Sequence, residues 1–198
     1  MVVIDLSFGG SMNFRLALTS VVSLSLLLAG AGVAQAAPPP ATTTFNVTAT
    51  VPSFCKVTAT DLAFGAYTPG SGPIANSSAV TVECTNGTPF TVALNAGSST
   101  GASFTNRNMT GTGAADSAGD TAPTSAWLNY QLYTTSTVGS GGTVWGDGSN
   151  GTSMVSGTGS GMGTAITEQV YGQIPDSTAN LAAVPGAYSD TVTATVTY

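Results

Sequence analysis

Polar and apolar residues alternate in short stretches along much of this chain. Phe45, Val47, Ala49 and Val51 are separated by Asn46, Thr48 and Thr50, which predicts a half-buried β-strand cut off by Pro52-Ser53. The same period recurs at residues 55–60, at 79–84 with Val80, Val82 and Cys84 inward, and at 90–94. Asn86-Gly87 lies between the last two and predicts that they form a hairpin. Strands are also predicted over residues 103–110, 127–133 and 165–174. The alternation of residues 190–198 is as clean as that of 45–51, with Val192, Ala194, Val196 and Tyr198 on one face. Residues 111–125 read as a polar loop, and the glycine-rich residues 139–163 as a long hairpin or mobile loop. After residue 36 no segment has helical period, so the pattern predicts an all-β sandwich of antiparallel sheets.

Residues 1–36 are set apart from that fold. An apolar run at 16–31 leads to Ala34-Gln35-Ala36, a small-x-small cleavage site, which predicts a secretion signal with translation starting at Met12. The competing reading is a retained membrane anchor; Gly30, Gly32 and Ala37-Pro38 favour cleavage. About 160 residues then remain, which suits one domain. Export makes Cys55 and Cys84 most simply one disulfide.

Charge narrows the partners. Lys56 and Arg107 are the basic residues after the signal, against eight carboxylates, which argues against nucleic acid and anionic membranes. The chain has no histidine, which removes the commonest general base and metal ligand. Gly97-Ser98-Ser99-Thr100-Gly101 matches the G-x-S-x-G pattern but reads as a turn, because that motif needs a helix and a histidine. Residues 157–163 read as a flexible hairpin tip, since no lysine follows to make a phosphate loop. Asp116, Asp120 and Asp147 sit in polar loops where solvated carboxylates are ordinary, and they make a poor calcium set. Trp127 and Trp145 suit either sugar stacking or a core, and Arg107 either a carboxylate partner or the surface. No catalytic residue, cofactor or metal site is predicted, and the chain is not expected to be an enzyme.

An ordered set of motifs carries a resemblance over residues 43–198. Cys55 is followed by Phe64-Gly65, Val80-x-Val82-x-Cys84, Gly97 and Arg107-x-Met109. Leu128-x-Tyr130-x-Leu132-Tyr133, Trp145-Gly146, Val170-Tyr171-Gly172-x-Ile174-Pro175 and Gly186-x-Tyr188-x-Asp190-x-Val192 come next, with Tyr198 last. In this the chain resembles the spore coat U domain family, which includes subunits of archaic (Csu-type) chaperone–usher pili. The long loops at 111–125 and 134–164 depart from the family pattern. The resemblance implies an immunoglobulin-like sandwich lacking one strand. A periplasmic chaperone, and then the next subunit's N-terminal extension, would supply that strand.

It further implies three segments: a signal at 1–36, a donor extension at 37–52 and a pilin domain at 53–198. Phe45, Val47, Ala49 and Val51 would be the donor side chains, and Val192, Ala194, Val196 and Tyr198 would border the acceptor groove. The implied partners are the chaperone, an outer-membrane usher and other pilus subunits in a head-to-tail polymer at the cell surface. A secreted coat or matrix protein of the same fold and a carbohydrate-binding surface domain are the alternatives.

Overall fold

The computed structural model describes residues 36–112 and 127–198, so the predicted signal, most of the loop at 111–125, Asp116 and Asp120 lie outside the described residues. The chain divides into two compact units, Met1–Val47 and Thr48–Tyr198. In the first, the described residues 36–47 are exposed and form no strand. Among the described residues no helix is long and apolar enough to cross a membrane.

Among its described residues the second unit is β apart from a four-residue α-helix and a short 3-10 helix at Gly139–Gly141. Its strands are β1 (Cys55–Ala59), β2 (Ile74–Cys84), β3 (Pro89–Leu94), β4 (Arg107–Thr112), β5 (Trp127–Tyr133), β6 (Val155–Thr158), β7 (Ile166–Ile174), β8 (Ala187–Ser189) and β9 (Ala194–Thr197). The helix, α1, spans Thr178–Leu181. Six strands make one sheet in the order β1-β2-β7-β5-β4-β8, and three make another in the order β6-β3-β9. All of these pairings are antiparallel. Val80, Val82, Leu128, Leu132 and Ile174 of the larger sheet meet Phe90, Val92 and Leu94 of the smaller in a single buried core. Burying each such side chain contributes about 1.5–3 kcal/mol.

Three sequence expectations change. First, β2 and β3 do not form a hairpin: β2 pairs with β1 and β7, whereas β3 pairs with β6 and β9. The chain crosses between sheets at Asn86-Gly87, where Gly87 takes φ 77°. Local alternation is the same whether a strand folds back on its neighbour or faces it across a core, so the pattern could not separate the two. Second, residues 139–163 are built into the domain. Trp145 is fully buried, and its indole N–H donates to the Val92 carbonyl at 3.0 Å. Val155–Thr158 is β6, and residues 157–163 are no flexible tip: Gly159 N donates to the Thr88 carbonyl and Gly161 N to the Cys84 carbonyl. Third, residues 190–198 are not one strand; the chain leaves the larger sheet after β8 and joins the smaller one at Ala194.

Cys55 and Cys84 are disulfide-bonded and lie directly opposite each other in the β1–β2 register. Asn180 of α1 extends the sheet beyond the end of β7. Its buried amide accepts from Asn129 N at 2.7 Å and donates to the Asn129 and Pro175 carbonyls.

Candidate functional site

The edges of the two sheets approach each other at β1 and β9 and part beyond them, where the domain stays open. Among the described residues β1 ends the larger sheet and β9 ends the smaller, and each is paired with a strand on one side only. Beyond β1 the chain runs on through residues 60–66 without joining a ladder. It keeps the strand period there, with Leu62 and Phe64 half-buried and Asp61 and Ala63 exposed. One backbone bond and several side chains hold this stretch beside β2: Thr60 N donates to the Ala79 carbonyl at 3.0 Å, Thr60 and Ser78 share a hydroxyl contact of 2.9 Å, and Asn76 Nδ2 donates to the Ala63 carbonyl at 2.6 Å.

On the facing wall, Val192 and Ala194 are half-buried against the core. Asn95 N donates to the Thr193 carbonyl, and Thr193 N donates to Asn95 Oδ1. Backbone groups alternate in an extended chain, so those of Val192 and Ala194 turn to the open side.

Between these walls lies a cleft of about 470 Å³, and a second of about 690 Å³ continues from it between residues 62–69 and 183–188. They share Leu62, Phe64, Met109 and Tyr188, and so form one groove. Its floor is apolar and comes from distant strands: Val80, Leu128, Leu132, Val170 and Ile174. An unpaired edge above an apolar floor is a template for one more strand, which would gain ladder hydrogen bonds and burial together.

Two carboxylates hold the rims. Asp190 lies where the chain changes sheets. Tyr130 Oη donates to its Oδ2 at 2.7 Å, while Ser98 N and Ser98 Oγ each donate to its Oδ1 at 2.9 Å and Thr191 N at 2.8 Å. Burial pushes Asp190 up, but the bonds from Tyr130, Ser98 and Thr191 outweigh it and hold the carboxyl below its usual range. Tyr130 is driven up by burial and by Asp190. Gly97 makes room for this cluster: its φ is 102°, and a methyl there would collide with the Asp190 carboxylate. The serines of the G-x-S-x-G match therefore serve as donors to Asp190.

At the other end, Asp176 accepts from Tyr67 Oη at 2.6 Å and from Gly70 N and Gly72 N at 3.1 Å, closing the loop at 67–72. Tyr67 is raised to about 12 by burial and by Asp176, while the bonds from Tyr67 and Gly70 hold Asp176 low.

The structure places the predicted residues unevenly. Val192 and Ala194 line the groove, and Val196 packs against the core. Tyr198 is 54% exposed and lines a separate shallow cleft with Pro89, Gly157 and Thr158. Phe45, Val47 and Val51 are more than 80% exposed, and Ala49 is exposed.

Arg107 follows neither sequence reading: it is fully buried, and among the described residues no carboxylate forms an ion pair with it. It donates to the Asn95 and Trp145 carbonyls and to Gln131 Oε1. Burial lowers its pKa, with Tyr130 and Asp190 opposing. The burial of Trp145 removes it from any sugar-stacking role, whereas Trp127 is 39% exposed on β5. Asp147 accepts from Ser149 N and Oγ in a local turn. Of the groove floor, Met109, Tyr130 and Val170 had no local signal of proximity; only the fold brings them together.

The Spore Coat Protein U domain family matches residues 41–195. No curated protein matches the chain. Among solved structures, the chain is similar to a chain of the CsuC–CsuE chaperone–tip adhesion subunit pre-assembly complex from archaic chaperone–usher Csu pili of Acinetobacter baumannii. The identity is 23% and the TM-score 0.49, over 75% of this chain and 41% of that one. This chain thus spans less than half the length of that structural relative.

Proposed function

Starting from a chain that belongs to the Spore Coat Protein U domain family, we propose that it is a structural subunit of a cell-surface chaperone–usher pilus, polymerised by donor-strand exchange. The observation that carries this reading is a mismatch in exposure. The domain has an open apolar groove between two unpaired edges, and the same chain carries an exposed alternating segment with Phe45, Val47, Ala49 and Val51 on one face.

Inserting those four side chains into the groove of a second copy contributes on the order of 5–8 kcal/mol before any backbone pairing. Asn46, Thr48 and Thr50 then face solvent. Such a contact is head-to-tail, and it propagates into an open filament rather than closing into a ring. A periplasmic chaperone fills the groove until an outer-membrane usher delivers the next subunit. Adhesion and biofilm formation are the roles of the assembled filament.

Electrophoresis of material sheared from the cell surface, with and without heating, tests the reading. Heat-sensitive ladders of whole-subunit steps are expected, and Val47→Asp removes them while the subunit is still exported. Normal filaments from that variant overturn the proposal. A soluble monomer at the surface of wild-type cells favours the coat or matrix alternative.

A further inference from the structure

Gly172 is buried in the middle of β7, opposite Asn76 on one side and Leu132 on the other. It does not adopt the left-handed conformation that favours glycine. Its missing side chain is nonetheless in use. A methyl group built there would lie 2.5 Å from Leu62 Cδ2 and 2.7 Å from Phe64 Cζ. Both side chains therefore rest on the β7 backbone itself. Leu62 and Phe64 are also common to the two clefts that make the groove. They stand on the stretch at 60–66, whose backbone is tied to β2 at its start by Thr60 N donating to the Ala79 carbonyl, and beyond that by the Asn76 side chain on the Ala63 carbonyl.

We propose that Gly172 sets the depth of the groove, and through it whether a strand can be seated there; this rests on the donor-strand reading. The argument is a difference between two states. Placing a methyl at residue 172 lifts the tips of Leu62 and Phe64 off the sheet. The open side available to them is the groove. In the empty subunit that space is free, and flexible side-chain ends move into it at little cost. With a strand seated, the same space holds the donor's apolar face, and the extra volume becomes overpacking. One methyl group thus separates folding of the subunit from occupation of its groove. Gly172 is a positioning residue, acting through Leu62 and Phe64.

The test uses the mature chain at high dilution with an excess of a fluorescent synthetic peptide of residues 41–54, followed by anisotropy. Wild type, Gly172→Ala and Gly172→Ala combined with Leu62→Ala are compared. Thermal unfolding of each empty variant is followed in parallel.

Gly172→Ala is expected to bind the peptide about tenfold or more weakly. Its empty form is expected to melt close to wild type, and the added Leu62→Ala to restore most of the binding. Wild-type binding by Gly172→Ala overturns the proposal, and so does failure of the double variant to recover any affinity. A Gly172→Ala subunit that melts far below wild type while empty also overturns it, because the groove would then not absorb the methyl. A wild-type chain that takes no peptide overturns the donor-strand reading itself, and this proposal with it.

Discussion

Residues 45–51 and 190–198 carry nearly the same pattern and meet opposite fates. In the first, Phe45, Val47 and Val51 are 84%, 85% and 81% exposed. In the second, Val192, Ala194 and Val196 pack against the core, and β9 pairs with β3. Alternation therefore states that a strand has two unlike faces. It does not state where the covering partner is. For β9 the partner lies in the same domain; for the N-terminal segment we propose that it lies in another molecule.

Substitutions can break this comparison at either end. The largest effect on the domain is expected from Trp145→Ala. It removes a fully buried ring and its bond to the Val92 carbonyl, at a cost of about 3–5 kcal/mol. Denaturant unfolding of the purified subunit measures it. Joint replacement of Cys55 and Cys84 by Ser should cost about 3–4 kcal/mol, since their sequence separation is 29. If the proposed function holds, it should also lower the yield of chaperone-bound subunit in the periplasm; an unchanged midpoint would argue against a stabilising disulfide.

Acid gives a smaller and reversible effect. Asp176 and Asp190 are held below the ordinary carboxylate range, so the folded state binds fewer protons than the unfolded one. The stability they confer is present at neutral pH and is lost as pH falls through their folded values, below about pH 4. Asp190→Asn should flatten that part of the pH–stability curve. Val47→Ala should do least, within about 0.5 kcal/mol for the monomer, while still weakening polymerisation. A large drop in monomer stability for Val47→Ala would erase the contrast with β9.

Much of this was legible in the sequence, for identifiable reasons. Strand positions follow from local period, and the disulfide follows from an even pair of cysteines in a chain expected to be exported. That Val192 and Ala194 share a face was visible in the alternation; that such a face borders a groove came from the resemblance and not from the period. Sheet membership was not legible: the step from β2 to β3 looks like a hairpin until the register of each is known. Trp145 stands among glycines, where no period marks it as core, and the nearby backbone folds around it. Arg107 and Asn180 are buried because distant backbone groups satisfy them, the carbonyls of Asn95 and Trp145 for one and the strand edge at Asn129 for the other. Nothing within a few residues of either announces those partners.

The position of the disulfide has a mechanical consequence. Cys55 is the first residue of β1 and follows the exposed N-terminal segment directly. In a filament joined through that segment, tension reaches each domain at Phe54. Without a cross-link, the pull would load the β1–β2 pairing at its first residue pair. The bond to Cys84 meets the force before β1 is loaded, and passes it to β2, which is paired on both sides. In such a filament the edge strand would act as a covalent tether, and resistance to stretching would depend on the redox state of one cysteine pair.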